Sequence, residues 1–155
     1  MINIGLTDKA RVSIVKMLNT LLADEFILYA KTRRFHWNVV GQNFSEYHKF
    51  FEAQYEAIDE ILDQVAERAR ALDGVAAGSL KEFNAMARLD EQAGRNPEAK
   101  GMIRALLADH ETVIRQLRKD VEASDTLKDA ATSDFFTGLM AQHEKMAWML
   151  RAYIN

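Results

Sequence analysis

The chain contains no cysteine. That absence removes disulfides, thiolate-held metals and cysteine nucleophiles together, and it fits a reducing compartment. Proline occurs once and glycine seven times. So few breakers argue for long helices over many short strands. No apolar run is long enough to cross a bilayer as a helix. The opening stretch MINIGLTDKARVSIVKMLNTLLADEF lacks the basic start, apolar centre and small-residue cleavage site of a secretory leader. Charge of neither sign dominates. A net charge of −3 and a pI near 5.8 give no whole-surface attraction to nucleic acid or anionic membrane. These features together predict a cytoplasmic protein with no membrane partner.

What is present is a set of amphipathic helical patterns in 155 residues, the length of one domain, 1–155. Ile14, Leu18, Leu21, Leu22 and Leu28 repeat at helical spacing in a first segment from about Asp8 to Val39, which Gly41 ends. Asn43, with Glu46 three residues on, predicts the cap of a second helix that runs to about Leu72 and stops at Gly74. Ser79-Leu-Lys-Glu82 is a capping box with little periodicity after it, which predicts a short connecting helix. Asn96-Pro97 reads as a cap with proline at the first helical position, ahead of the stripe Ile103, Leu106, Leu107, His110, Val113, Ile114, Leu117, Val121. The last helix starts between Asp129 and Asp134 and uses Phe136, Leu139, Met140, His143, Met146 and Leu150. The expected architecture is all-α: a four-helix bundle of ferritin-like topology, with an extra short helix in the long link between the second and third long helices.

The second helix carries the chemistry. His48 and Glu52 stand one turn apart, as do Asp63 and Glu67, and His36 lies just upstream of Gly41. With His48 at zero, Glu52, Asp63 and Glu67 fall near about 40°, 60° and 100° around the axis, on one face. Two readings are open on the pattern alone: a solvated charged face, or a set of metal ligands. The metal reading carries a geometric condition. His48 and Asp63 are separated by roughly 22 Å of helix, while metal–ligand bonds are about 2 Å long. One chain cannot close such a site. A second copy running antiparallel about a two-fold axis near Ala57 and Ile58 brings the His48/Glu52 end of one helix to the Asp63/Glu67 end of the other, twice. Residues 43–74 also hold eight acids against three bases, a net −5 that would repel its mate across an interface without cations.

His110 and His143 sit on apolar stripes and read as core histidines with hydrogen-bonded nitrogens, in preference to a second metal site inside the bundle. No Glu-x-x-His pair, the mark of a bundle-core di-iron centre, occurs in the chain. Trp37 and Trp148 read as core or interface residues. Asp125, Asp129 and Asp134 cluster at the start of the last helix, as caps or as carboxylates lining a cation pore.

His36-Trp-Asn-Val-x-Gly41-x-Asn43-Phe44-x-x-x-His48, then Glu52, then Asp63-x-x-x-Glu67-Arg68, strongly resembles the Dps family, the mini-ferritins or DNA-binding proteins of starved cells. The resemblance extends to Asp125…Asp129-x-x-Thr132-x-Asp134 and to the closing Trp148-Met-Leu-Arg-Ala152. It implies a dodecameric shell of four-helix subunits. Ferroxidase centres would lie at its two-fold interfaces, with His36, His48 and Glu52 from one chain and Asp63 and Glu67 from the other. It implies oxidation of ferrous iron there, preferentially by hydrogen peroxide, and storage of ferric mineral inside. Zinc or manganese could occupy the same ligands, because binding strength alone does not select iron. Asp125, Asp129 and Asp134 match the family's acidic three-fold pore. The alternative is a shell that compacts DNA, with iron chemistry secondary. Family members often bind DNA through a basic tail, whereas Lys9, Arg11 and Lys16 are scattered and the ending Arg151–Asn155 is nearly neutral. Weak or absent DNA binding at physiological salt is therefore expected.

Overall fold

A computed structural model describes residues 2–154. Five helices follow one another: α1 Asp8–Asn38, α2 Phe44–Ala71, α3 Leu80–Met86, α4 Ala99–Thr126 and α5 Ala130–Ala152. The four long ones form two antiparallel hairpins, α1 with α2 and α4 with α5, which pack together with their apolar stripes inward. Ile14, Leu18, Leu21 and Leu28 of α1 meet Phe51, Ile58 and Ile61 of α2 and Ile103, Leu106 and Leu117 of α4, all fully buried. Each such side chain contributes about 1.5–3 kcal/mol of burial. This is the expected all-α arrangement with a short helix in the long link. No helix among the described residues is long and apolar enough to cross a membrane.

Several helix ends differ from expectation in instructive ways. Asn43 does not cap α2 with its side chain: it stands in the left-handed region at φ 65°, continuing the reversal begun at Gly41 (φ 106°). Asparagine tolerates that conformation, so its turn role displaces its capping role. At the other end of α2, Asp73 takes the left-handed position (φ 61°) and the Gly74 N–H closes onto the Ala69 carbonyl. Gly74 is needed for another reason. A Cβ there would lie 2.4 Å from a methyl of Val15, so its bareness lets α1 pass. The α4 cap is Glu98, whose carboxylate accepts the Lys100 N–H, rather than Asn96 followed by Pro97. The Ser79/Glu82 capping box forms as expected.

The link between α2 and α4 lies along the side of α1. Asn19 bonds the Val75 carbonyl and the Ala77 N–H. Asp24, nearly inaccessible, accepts the N–H groups of Arg88 and Leu89 and pairs with the Arg88 guanidinium at 2.6 Å. Beside it, Lys31 is fully buried against Asp109 of α4 at 2.6 Å. Burial pushes the Asp109 carboxyl up from its ordinary range, and Lys31 opposes that shift.

Asp120 of α4 is also raised by burial, its bond from Gln116 offsetting the shift only in part, and one of its oxygens has no partner. A carboxyl with a raised folded pKa stabilises the fold below its unfolded pKa and loses that contribution as pH rises through the folded value. Asp120→Asn should therefore raise the melting temperature near neutral pH, with a gain that vanishes as pH falls through the carboxylate range. Thermal melts of both proteins across that range check this; a gain that grows in acid contradicts it.

In the bundle centre, Glu25 of α1, His143 of α5 and His110 of α4 are all fully buried. The two histidines face each other through Nδ1 atoms 2.9 Å apart, one hydrogen shared between them. His143 Nε2 lies 2.8 Å from a Glu25 oxygen, but not aligned as a hydrogen bond. His110 Nε2 has no partner. Burial, and then His143, holds His110 well below its ordinary pKa, so it is neutral.

Candidate metal centre

Two histidines from opposite sides of the α1–α2 turn meet. His36 lies in the last turn of α1 and is buried; His48 lies in the second turn of α2 and is half-buried. The Gly41–Asn43 reversal folds the two helices back so that the imidazoles stack, with ring centres 3.7 Å apart and planes 19° from parallel. Each then donates from Nδ1 to the other's backbone carbonyl, His36 to His48 O at 2.7 Å and His48 to His36 O at 2.8 Å. A carbonyl only accepts, so both Nδ1 atoms must carry hydrogen. Where the rings are neutral, both Nε2 atoms keep free lone pairs, the state in which imidazole binds a metal.

Glu52 follows one turn along α2 and is half-buried. Tyr55 is one turn further, its ring edge-on to His36 with centres 5.3 Å apart and interplanar angle 77°. Arg33 covers Tyr55, its guanidinium 4.7 Å from the ring centre, and reaches Tyr29 and Trp37 as well. Burial, then the charges of Glu52 and Glu56, raise the Tyr55 pKa, with Arg33 opposing, so the phenol is protonated at neutral pH. Tyr55, Arg33 and Tyr29 were not singled out from the sequence. A signal existed: Tyr55 stands two turns after His48, and Tyr29 two turns before His36, each on its histidine's face.

Asp63 and Glu67 lie at the far end of α2, both exposed. Asp63, Asp59 and Glu60 rim a groove of about 550 Å³ between α1, α2 and α3, floored by Leu22, Phe26, Leu62 and Phe83. Among the described residues, no three His, Asp or Glu side chains of the single chain converge on a point that could hold a metal ion. The His36/His48 end instead presents exposed aromatic surface, with Trp37 65% and Phe44 44% accessible. Trp37 and Trp148 are thus outside the core of the protomer.

Of the acids at the start of α5, Asp129 is the buried one. It caps the helix through the Thr132 N–H, takes the Thr132 hydroxyl, and pairs with Arg68 of α2. Its carboxylate is consumed by these contacts, while Asp125 and Asp134 remain exposed. Arg68 therefore ties the Glu67 end of α2 to the start of α5.

Comparison with known proteins identifies this arrangement. The ferritin-like domain model of the Ferritin family matches residues 15–155. A DNA protection during starvation protein of Bacillus anthracis is 34% identical over 142 residues, covering 92% of this chain and 97% of the relative. The chain belongs to the Dps family of ferritin-like proteins. An uncharacterized low temperature-induced protein of a Nostoc species is 47% identical over 155 residues, covering 99% of this Dps chain and 87% of its own length. The crystal structure of a Vibrio cholerae Dps superposes with a TM-score of 0.94 at 27% identity, over 100% of this chain and 97% of that one. A Dps from Bacillus brevis superposes at 0.91 and 29% identity, over 97% and 100%. Membership in the Dps family supports a general role in handling iron and in protection against oxidative stress.

Proposed function

We propose that the chain is a ferroxidase that oxidises ferrous iron at centres shared by two subunits and stores the ferric product inside a homododecameric shell. The observation that carries the proposal is the reciprocal pair of Nδ1–carbonyl bonds, which pins His36 and His48 with both Nε2 lone pairs available. His36, His48 and Glu52 of one subunit and Asp63 and Glu67 of its partner form the ligand set. The outward form of the molecule supports the pairing. An aromatic knob, Trp37 and Phe44, stands at one end of the α1–α2 face, and an apolar groove with an acidic rim at the other. A two-fold rotation brings knob to groove and histidines to carboxylates in one movement.

Iron is here the substrate. Imidazole retains affinity for the ferrous ion, and carboxylate oxygens favour the ferric product. Two ferrous ions held together supply two electrons. Hydrogen peroxide is then cleaved to two waters in one step, taking up two protons, without releasing hydroxyl radical. The stacked histidines do their part by staying still: with each Nδ1 committed to a carbonyl, neither ring can turn to offer the wrong nitrogen. Asp125 and Asp134 remain candidates for a cation entry lined by carboxylates. Asp129 serves there through the helix it caps.

The name of the Bacillus anthracis relative favours a second reading, a shell whose primary task is DNA protection. Iron oxidation can serve that task without contact. With a net charge of −3 per chain, DNA binding at physiological salt is expected to be weak. Anaerobic titration with ferrous ion tests the first reading: binding should saturate at two ions per interface centre. A titration with no saturable phase sends the acidic face back to being solvated charge.

A further inference from the structure

Resting on the ferroxidase reading, we infer that Tyr55 is a redox-active residue that supplies the second electron when a centre holds one ferrous ion instead of two. The two halves of the centre are chemically unequal, with two imidazoles and a carboxylate on one side and carboxylates alone on the other. They have no reason to fill together. A centre holding one ferrous ion is short of one electron for peroxide, and one-electron cleavage releases hydroxyl radical. An oxidisable side chain against the ligands removes that hazard.

Tyr55 is placed for it. Among the described residues, the aromatic rings packed on His36 are those of His48, itself a ligand, and Tyr55, at 5.3 Å. Trp37 follows His36 in sequence, but a helix turns adjacent side chains about 100° apart, and its ring is not among those packed on His36. Behind Tyr55 stands a second phenol, Tyr29, edge-on at 6.0 Å. Arg33 clamps the group, stacked on Tyr55 and bonded to the Tyr29 hydroxyl. Tyr29 also packs against the hydrophobic core, in which Phe35 and Phe51 are fully buried.

The step balances. One ferrous ion, hydrogen peroxide and the Tyr55 phenol give a ferric ion, water, hydroxide and the neutral Tyr55 phenoxyl radical. The peroxide O–O bond and the phenolic O–H bond break. Iron and tyrosine each lose one electron, peroxide gains both, and the phenolic hydrogen ends in the water. A second ferrous ion arriving at the centre then reduces the phenoxyl, which takes a proton to restore the phenol.

The test uses the assembled protein loaded anaerobically with one ferrous ion per centre and mixed with one equivalent of peroxide. Rapid-freeze electron paramagnetic resonance should show a tyrosyl signal, and a spin trap in the solution should find little hydroxyl radical. Tyr55→Phe should lose the tyrosyl signal and raise the spin-trap adduct. Tyr153→Phe, whose ring packs on Tyr47 and Phe50 away from the centre, should keep the signal. Mass measurement confirms that each variant assembles. An unchanged radical in Tyr55→Phe, or a signal of tryptophan type, assigns the electron elsewhere and overturns the inference. Brisk ferrous oxidation in the parent protein with no radical also overturns it, leaving the centre intact. Failure of the parent to oxidise ferrous ion with peroxide at any loading is distinct from both, and removes the ferroxidase reading itself.

Discussion

Replacing His36 and His48 together by alanine should reduce the rate of peroxide-driven ferrous oxidation by a factor on the order of 100 or more, while the subunit still folds. Loss of a group that only orients a ligand typically costs about 10–100-fold in affinity or activity, and this change removes two candidate ligands outright. Each of these rings is a candidate donor to metal, anchored through Nδ1 on the backbone carbonyl of the other residue, which an alanine there would keep. The single variants should behave much like the double one, because both rings serve one centre and neither imidazole alone completes its ligand set. Non-additivity of this kind separates two ligands of one centre from two independent sites. Stopped-flow oxidation with one and both histidines replaced measures it, with circular dichroism to confirm helix content. Wild-type rates in the double variant would place the centre elsewhere; single losses that multiply to give the double loss would contradict a shared centre.

The second large effect concerns the bundle interior. Glu25→Ala should destabilise the fold by about 2–5 kcal/mol, the usual result of emptying the place of a long, fully buried side chain. A chain of this size loses roughly 2–4 °C in melting temperature per kcal/mol, so a drop of about 4–20 °C is expected. The cause is the space left in the closed surroundings of Glu25, His143 and His110, which the packed neighbours fill only in part. Glu25→Gln, which keeps the volume and one oxygen, should cost distinctly less. Thermal melts of the two variants decide the point. Equal small shifts would mean the carboxylate has little bearing on the stability of its neighbours.

Much of the fold was legible because helix periodicity and breakers act locally. The stripes of the four long helices, the capping box at Ser79 and the break at Gly41 needed no tertiary information. The misses come where tertiary contact overrides a local preference. Asn43 is a good cap in isolation, but the hairpin that brings His36 to His48 needs a left-handed residue there. Pro97 is a good first helical residue, yet Glu98 caps α4 instead. The course of the long link depended on Asn19 and Asp24, polar residues inside an apolar pattern whose partners lie more than fifty residues away.

For the candidate centre, the ligand types and the single helix face could be read from spacing. The tautomers could not, because they depend on two carbonyls that become neighbours only when the turn forms. Asp129 shows the reverse case: its residue type suited a pore as well as a cap, and burial beside Arg68 and Thr132 gives it the cap.

The central claim is that the histidine half and the carboxylate half of each centre come from different chains, and complementation tests it most directly. One preparation carries His36→Ala with His48→Ala; the other carries Asp63→Ala with Glu67→Ala. Each alone should oxidise ferrous iron slowly. Dissociated, mixed in equal amounts and reassembled, they should regain fast oxidation at about a quarter of the parent's centres, since half the dimers are mixed and each mixed dimer holds one complete centre. A mixture no faster than its parts would contradict the account, because ligands all drawn from one chain cannot be restored by a neighbour.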